Sequence, residues 1–356
     1  MAKKIGLFII VVLLFLSACV SNSLQDTAIV INDAFGQEVS FSKAPTHIVV
    51  AGKQTPMLAN FVYLFNESSE KISAIENRSQ SSNQFLSLID PSFPEKLTLE
   101  KGAGAEQISA FEPDTVILKT SMKEQIGNQL NDVGLKPVYV SFETIDEIYR
   151  DVRILGKILE GRDKSEVIIN FYENNKNTID LMLKNSQNAS RVLLLQISES
   201  ENNYVYSVPS ASWLQTFMVE ELGGEPVWKN DASAGGWMEV NIEQIIDWQP
   251  DIIMVINYQG QSPEMIRKLT EDAVWNQFLS SSEIELKPFP YDFQSWDQPD
   301  PRWILGYASI AHFLHPDVIT VDILSGLVID FYHELYGLDL NMINDEIISL
   351  LQSQIE

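Results

Sequence analysis

The sequence predicts an α/β protein of two lobes with mostly parallel sheets, bridged by a single long helix. Three observations carry that prediction. First, Glu106-Gln107-Ile108 and Glu243-Gln244-Ile245 each stand four residues ahead of a Pro-Asp pair, and an apolar run follows each pair. An acid suits the positive N-terminus of a short helix, proline ends that helix, and the apolar run reads as a buried parallel strand. A unit repeated in register implies two lobes of like construction. Second, strand and helix patterns alternate in both halves of the chain. Third, an amphipathic stretch from about Asp163 to Lys184 contains neither proline nor glycine. About 20 helical residues make a rod of about 30 Å, a stiff connector and not a loose linker.

In chain order, Ile29 to Phe41 alternates about a Gly36 turn and reads as a hairpin. Ile48 to Ala51 is a strand, followed by a helix from about Met57 to Phe65 and a strand Ile72 to Ile75. The first repeat unit leads to a strand at Thr115 to Leu118. A helix from Lys123 to Val133 closes at Gly134, and Pro137 to Val140 is a strand. Thr144-Ile145-Asp146-Glu147 opens a helix to about Leu159. In the second half, strands are expected at Arg191 to Ile197, Tyr204 to Ser207 and Ile252 to Ile256. A helix starts at Ser212 and stops at Gly223-Gly224. Asp300-Pro301-Arg302 reads as a helix start with Asp as N-cap, and helices at Asp322 to Tyr336 and Asn344 to Gln354 close the chain.

The chain has 356 residues, 45% hydrophobic and 21% charged, which suits a globular protein of two domains. Its net charge of -25 makes nucleic acid and anionic lipid headgroups poor partners. The single cysteine, Cys19, excludes an intrachain disulfide. It follows Lys3, Lys4 and the apolar run Ile5 to Leu16, too short for a comfortable membrane span. Leu16-Ser17-Ala18-Cys19 resembles the lipobox of bacterial lipoproteins, which implies cleavage before Cys19 and its lipidation. The expected organisation is a signal peptide at 1–18, a lipidated tether at 19–27, an N-terminal lobe at 28–162, a connecting helix at 163–188 and a C-terminal lobe at 189–356. The protein is expected at the cell membrane, lipid-anchored and facing outside the cytoplasm.

Ligands of such sheets bind beyond the C-terminal strand ends. Those ends carry Lys53, Arg78 and Lys119 in the first lobe. All seven tryptophans lie after residue 200. Trp213, Trp237 and Trp296 fall in or beside loops with Tyr258, where they either form an aromatic ligand wall or pack the loops. Arg302, in a first helical turn, either binds an anion or bridges to Asp297 or Asp300; Arg78 has the same two readings. His312 and His315 share a helix face, but no third metal ligand is evident, and they read as a solvated helix end. No Gly-x-Ser-x-Gly, His-Glu-x-x-His or phosphate-loop motif occurs, and the one cysteine is assigned to lipidation. The expectation is therefore no catalytic residue, no metal site and no cofactor.

The Asp33-to-Val39 opening, the Pro45-to-Val50 segment, both repeat units and the Trp296-to-Pro316 segment together resemble the substrate-binding proteins of ABC importers for iron complexes and cobalamin. The resemblance covers nearly the whole mature chain. It implies Rossmann-like lobes, small closure about a rigid helix, and a ligand held between the lobes. It further implies that Glu106 and Glu243 dock on arginine pockets of a permease, whose ATPase subunit drives uptake. The alternative for both acids is a capping role only. The ligand implied is a ferric siderophore or haem, with a corrinoid or molybdate and tungstate as alternatives. The candidate ligand-binding set is Lys53, Arg78, Lys119, Trp213, Trp237, Tyr258, Trp296 and Arg302, in a monomer anchored to the membrane by lipid alone. Competing functions are a surface sensor and a secreted hydrolase.

Overall fold

The computed structural model describes residues 28–65, 67–78, 84–186, 190–200, 203–232, 235–281 and 283–355. The expected signal peptide, the tether and Cys19 lie outside the described residues. The chain opens with the antiparallel hairpin β1 (Ile29–Asn32) and β2 (Glu38–Phe41). The first sheet contains β3 (Ile48–Val50), β4 (Ile72–Ile75), β5 (Thr115–Lys119) and β6 (Pro137–Val140). Its order is β4-β3-β5-β6 and every pairing is parallel.

Period-two alternation divides this sheet between two cores. Ile48, Val50, Ile117, Val138 and Val140 face the large core, while Val49, Val116, Leu118 and Tyr139 face a smaller one. Both faces are covered, so the strands read as continuous apolar runs and not as alternating ones.

The second sheet contains β7 (Arg191–Ser200), β8 (Asn203–Val208), the short β9 (Glu225–Pro226), β10 (Met238–Val240), β11 (Ile252–Ile256) and β12 (Glu285–Pro288). The order β10-β8-β7-β11-β12 is mixed: β9, β11 and β12 join in parallel, whereas β8 and β10 run antiparallel. The antiparallel edge follows from the two-residue link between β7 and β8, too short for a crossover. Strand β12 and the helices Gln84–Ile89, Ser262–Glu271 and Ala273–Ser281 were not assigned from the sequence. The late helix begins at Trp303 with Arg302 as its N-cap residue, two places beyond the Asp300 cap expected.

The helix Arg162–Leu183 is 22 residues long and lies in the chain between the last strand of the first sheet and the first strand of the second. Its buried face includes Ile168, Ile169, Phe171, Tyr172 and Ile179. Tyr172 donates to the Pro301 carbonyl at 3.1 Å and its ring lies 5.3 Å from that of Trp303. The connector is thus packed against the second lobe, which restricts bending.

The repeat is structural at its glutamine, isoleucine, proline and aspartate positions. The helices Ala105–Ser109 and Ile242–Trp248 each bury the isoleucine, Ile108 and Ile245. Each glutamine turns back to cap its helix: the Gln107 carbonyl accepts from Gly104 N–H at 2.9 Å, and that of Gln244 from Asn241 N–H at 3.1 Å. Glu112 and Gln249, before the prolines, both take left-handed backbone angles, with φ of 46° and 45°. Each aspartate then clamps the neighbouring strand. Asp114 donates its N–H to the His47 carbonyl at 2.8 Å and its carboxylate accepts from His47 N–H at 3.0 Å. Asp251 does the same with Arg191, at 2.8 and 2.7 Å.

Ile245→Ala should cost about 2–5 kcal/mol in urea unfolding, because it empties a buried site. Glu243→Ala, on the exposed side of the same helix, should change stability by no more than about 0.5 kcal/mol.

Candidate functional site

The repeat assigns a structural task to glutamine, isoleucine, proline and aspartate, but none to glutamate. Glu106 and Glu243 occupy the same place, second in their helices, and both are exposed. Neither forms a side-chain hydrogen bond or ion pair among the described residues. Capping, the alternative reading, is carried by Gln107 and Gln244.

The first-lobe strand ends are gathered by a carboxylate that the sequence reading missed. Glu76, directly after β4, is buried and accepts from Gly52 N–H at 2.6 Å and Gly102 N–H at 2.8 Å. Arg78 completes its coordination at 2.5 Å. Arg78 is therefore engaged by a buried acid beside the strand ends. Lys119 is buried as well: its ammonium donates to the Ser141 carbonyl and pairs with Glu143 at 2.9 Å. Lys53 alone of the three expected cations is exposed at the strand ends.

The second lobe brings three of its expected aromatics together. The rings of Trp213 and Trp237 meet edge to face at 5.6 Å, and those of Trp237 and Tyr258 at 6.0 Å. All three are half-buried, so each shows part of its surface to solvent. Tyr258 follows β11, and its hydroxyl donates to buried Asp297 at 3.0 Å. Ser295 and Gln215 donate to the same carboxylate at 2.5 and 3.3 Å. Burial and the adjoining Asp297 push the Tyr258 pKa well above the ordinary phenol value. The wall therefore presents ring surface, with its phenol protonated and its hydroxyl already committed.

Trp296 and Arg302, placed in the candidate ligand set, are instead fully buried at the lobe junction. The Arg302 guanidinium meets Asp292 at 3.1 Å and Asp300 at 2.9 Å, and its Nε also donates to the Tyr332 hydroxyl at 2.7 Å. Trp296 donates its indole N–H to Asp292 at 3.0 Å. Asn60, from the first lobe, donates to Asp300 at 2.5 Å, and Phe85 stacks under the guanidinium at 4.4 Å. Burial works against the charge on Arg302, but Asp292, Tyr332 and Asp300 outweigh it and hold its pKa above the ordinary value. Of the two readings, the bridge to Asp300 describes its contacts. Asp292 lies ten residues upstream in the aromatic loop, and Tyr332 is thirty downstream, so no local motif links them.

The histidines of the late helix are also absorbed by the fold. His312 and His315 lie against the carbonyls of Ile319 and Leu222, and His315 is buried, so they are not the solvated helix end expected.

The profile of a family described as periplasmic binding protein matches residues 87–279. The molybdate-binding protein MolA of Haemophilus influenzae is 20% identical over 350 residues, covering 90% of this chain and 95% of that protein. An uncharacterized ABC transporter substrate-binding lipoprotein of Bacillus subtilis, YvrC, is 20% identical over 299 residues, covering 81% and 86%. Among solved structures, a periplasmic solute binding protein of Veillonella parvula superposes with a TM-score of 0.71 at 21% identity, over 91% of this chain and 98% of that one.

Arg302→Met should cost about 3–5 kcal/mol at neutral pH, because it strands buried carboxylates. The Asp300 pKa is raised by burial, against Arg302 and Asn60, which lower it. A raised folded-state pKa favours the fold at acid pH and costs stability as pH rises through the carboxylate range. Removing the cation raises it further. The deficit of Arg302→Met should therefore shrink as pH falls, as urea unfolding at several pH values would read.

Proposed function

The chain belongs to the periplasmic binding protein family, the substrate-binding components of ABC transporters, and from that premise we propose that it is a lipid-anchored receptor that captures a metal chelate between its lobes. The chelate is an iron complex, a ferric siderophore or haem, handed to a permease powered by an ATPase subunit. The observation that carries the delivery role is the pair Glu106 and Glu243. Two lobes, built alike in their fold-determining residues, each hold out one acid that the fold does not use. Two acids at a fixed separation can orient a receptor on basic pockets, where charge complementarity sets encounter and register. Lipidation at Cys19 would keep the receptor near the permease and raise its effective concentration there. No helix among the described residues is long and apolar enough to cross a membrane. The role is binding and release, with no chemistry on the ligand, and the receptor works as a monomer.

The aromatic wall supports the ligand class. Trp213, Trp237 and Tyr258 offer flat apolar surface to an organic chelate. Arg78 and Lys119, which would favour a small oxyanion, are already paired with Glu76 and Glu143. Lys53 can still meet an anionic group on the chelate. The relation to a molybdate-binding protein across nearly the whole chain favours a second reading, an oxyanion receptor. In that reading Lys53 and backbone N–H groups of the strand-end loops would hold the anion. A corrinoid would use the same aromatic wall.

In cells that depend on this receptor, Glu106→Ala and Glu243→Ala should each lower uptake about tenfold, about 1.4 kcal/mol of docking, and the double variant more. Ligand binding by the purified variants should be unchanged. Wild-type uptake by the double variant would refute the docking role.

A further inference from the structure

The cleft loop and the first docking helix share one carboxylate. Glu76 Oε2 accepts from Gly52 N–H at 2.6 Å, at the turn that presents Lys53. Glu76 Oε1 accepts from Gly102 N–H at 2.8 Å, two residues before Gly104 caps the helix that carries Glu106. Arg78 pairs with the same Oε1. Both glycines sit in the left-handed region, with φ of +94° at Gly52 and +83° at Gly102. Glycine takes these angles without the cost a Cβ would add, and at both turns its N–H donates to the one carboxylate. A buried carboxylate is costly unless its donors stay in place. A shift of the Gly52 loop must therefore be followed by Glu76 and Gly102, or the charge loses a partner.

The second lobe reaches the same connection by other means. Trp237, in the aromatic wall, directly precedes β10, and β10 leads straight to Asn241, the cap of the helix that carries Glu243. In both lobes the segment entering the docking helix is anchored at the cleft.

We infer that Glu76 is a positioning residue that transmits displacement of the cleft loop at Gly52–Lys53 to the docking acid Glu106. This rests on the docking role of Glu106 and adds how a loaded cleft reaches that acid. Coupling of this kind is reciprocal, so engagement of Glu106 would also shift the cleft loop.

The test needs neither ligand nor permease. A Cβ at Gly52 would lie 2.7 Å from Met122 Cγ and would strain a left-handed backbone, so Gly52→Ala displaces the cleft loop. Hydrogen exchange of the purified chain then reads the docking segment. In Gly52→Ala, amides of residues 102–107 should exchange about tenfold faster, while those of β5 stay within about twofold of wild type. In a Glu76→Gln background, Gly52→Ala should add less than about twofold, because the shared carboxylate is already broken. Unchanged exchange over 102–107 in Gly52→Ala would overturn the inference. So would equal increments in both backgrounds, which would show that the two loops respond without Glu76. If Glu76→Gln does not fold, Glu76→Asp, which keeps the charge but is too short to hold both glycine N–H groups, serves as the second background, with the same two outcomes. Failure here leaves the docking role itself standing, since uptake in Glu106→Ala tests that separately.

Discussion

The junction of the two lobes depends on one buried charge, the Arg302 guanidinium. Its position is set by Asp292 and Asp300, stacked on Phe85 and supported by Tyr332. Asn60 extends the network into the first lobe through Asp300, and Tyr336 returns to the Asn60 carbonyl at 3.0 Å. A buried charge tolerates little displacement, because each lost partner leaves a desolvated ion. Such a junction resists large hinge motion, and the connector helix adds to it where Tyr172 packs on Trp303 and bonds to Pro301. The Asn60–Asp300–Arg302 network thus joins the two lobes by a restrained contact.

The same pairing of buried charge recurs across the candidate set. Arg302, Arg78 and Lys119 are each held by an acid, and Trp296 is spent on Asp292. Of that set, Lys53 is exposed and Trp213, Trp237 and Tyr258 are half-buried. Asp297 fixes the tyrosine by accepting a hydrogen bond from its hydroxyl, so that oxygen is already engaged.

Much of this was legible in the sequence because it is local. Gln107, Ile108, Pro113 and Asp114 act within a few residues of one another or on the next strand, and their repetition exposed the shared plan. The same repetition marked Glu106 and Glu243 as equivalent positions, and the structure, by giving the capping to Gln107 and Gln244, separates them from that duty. The pairings of buried charge were not legible. Glu76 joins loops that lie apart in the chain, and Arg302 meets Asp292 and Tyr332 only once the aromatic loop and the late helices pack. A lone arginine at a helix start reads equally as an anion site or as a bridge until its partners are placed. The antiparallel edge of the second sheet was missed for a related reason: β8 carries the same apolar pattern in either direction, and only the tight link to β7 sets its sense.

The most direct measurement of the ligand claim is tryptophan fluorescence of the purified protein, titrated in parallel with a ferric tris-catecholate chelate and with molybdate. Saturable quenching by the chelate, abolished in Trp237→Ala and not produced by molybdate, is the result predicted for an aromatic wall beside occupied arginines. Saturable binding of molybdate alone, retained in Trp237→Ala, would contradict it and shift the site to Lys53 and the strand-end amides.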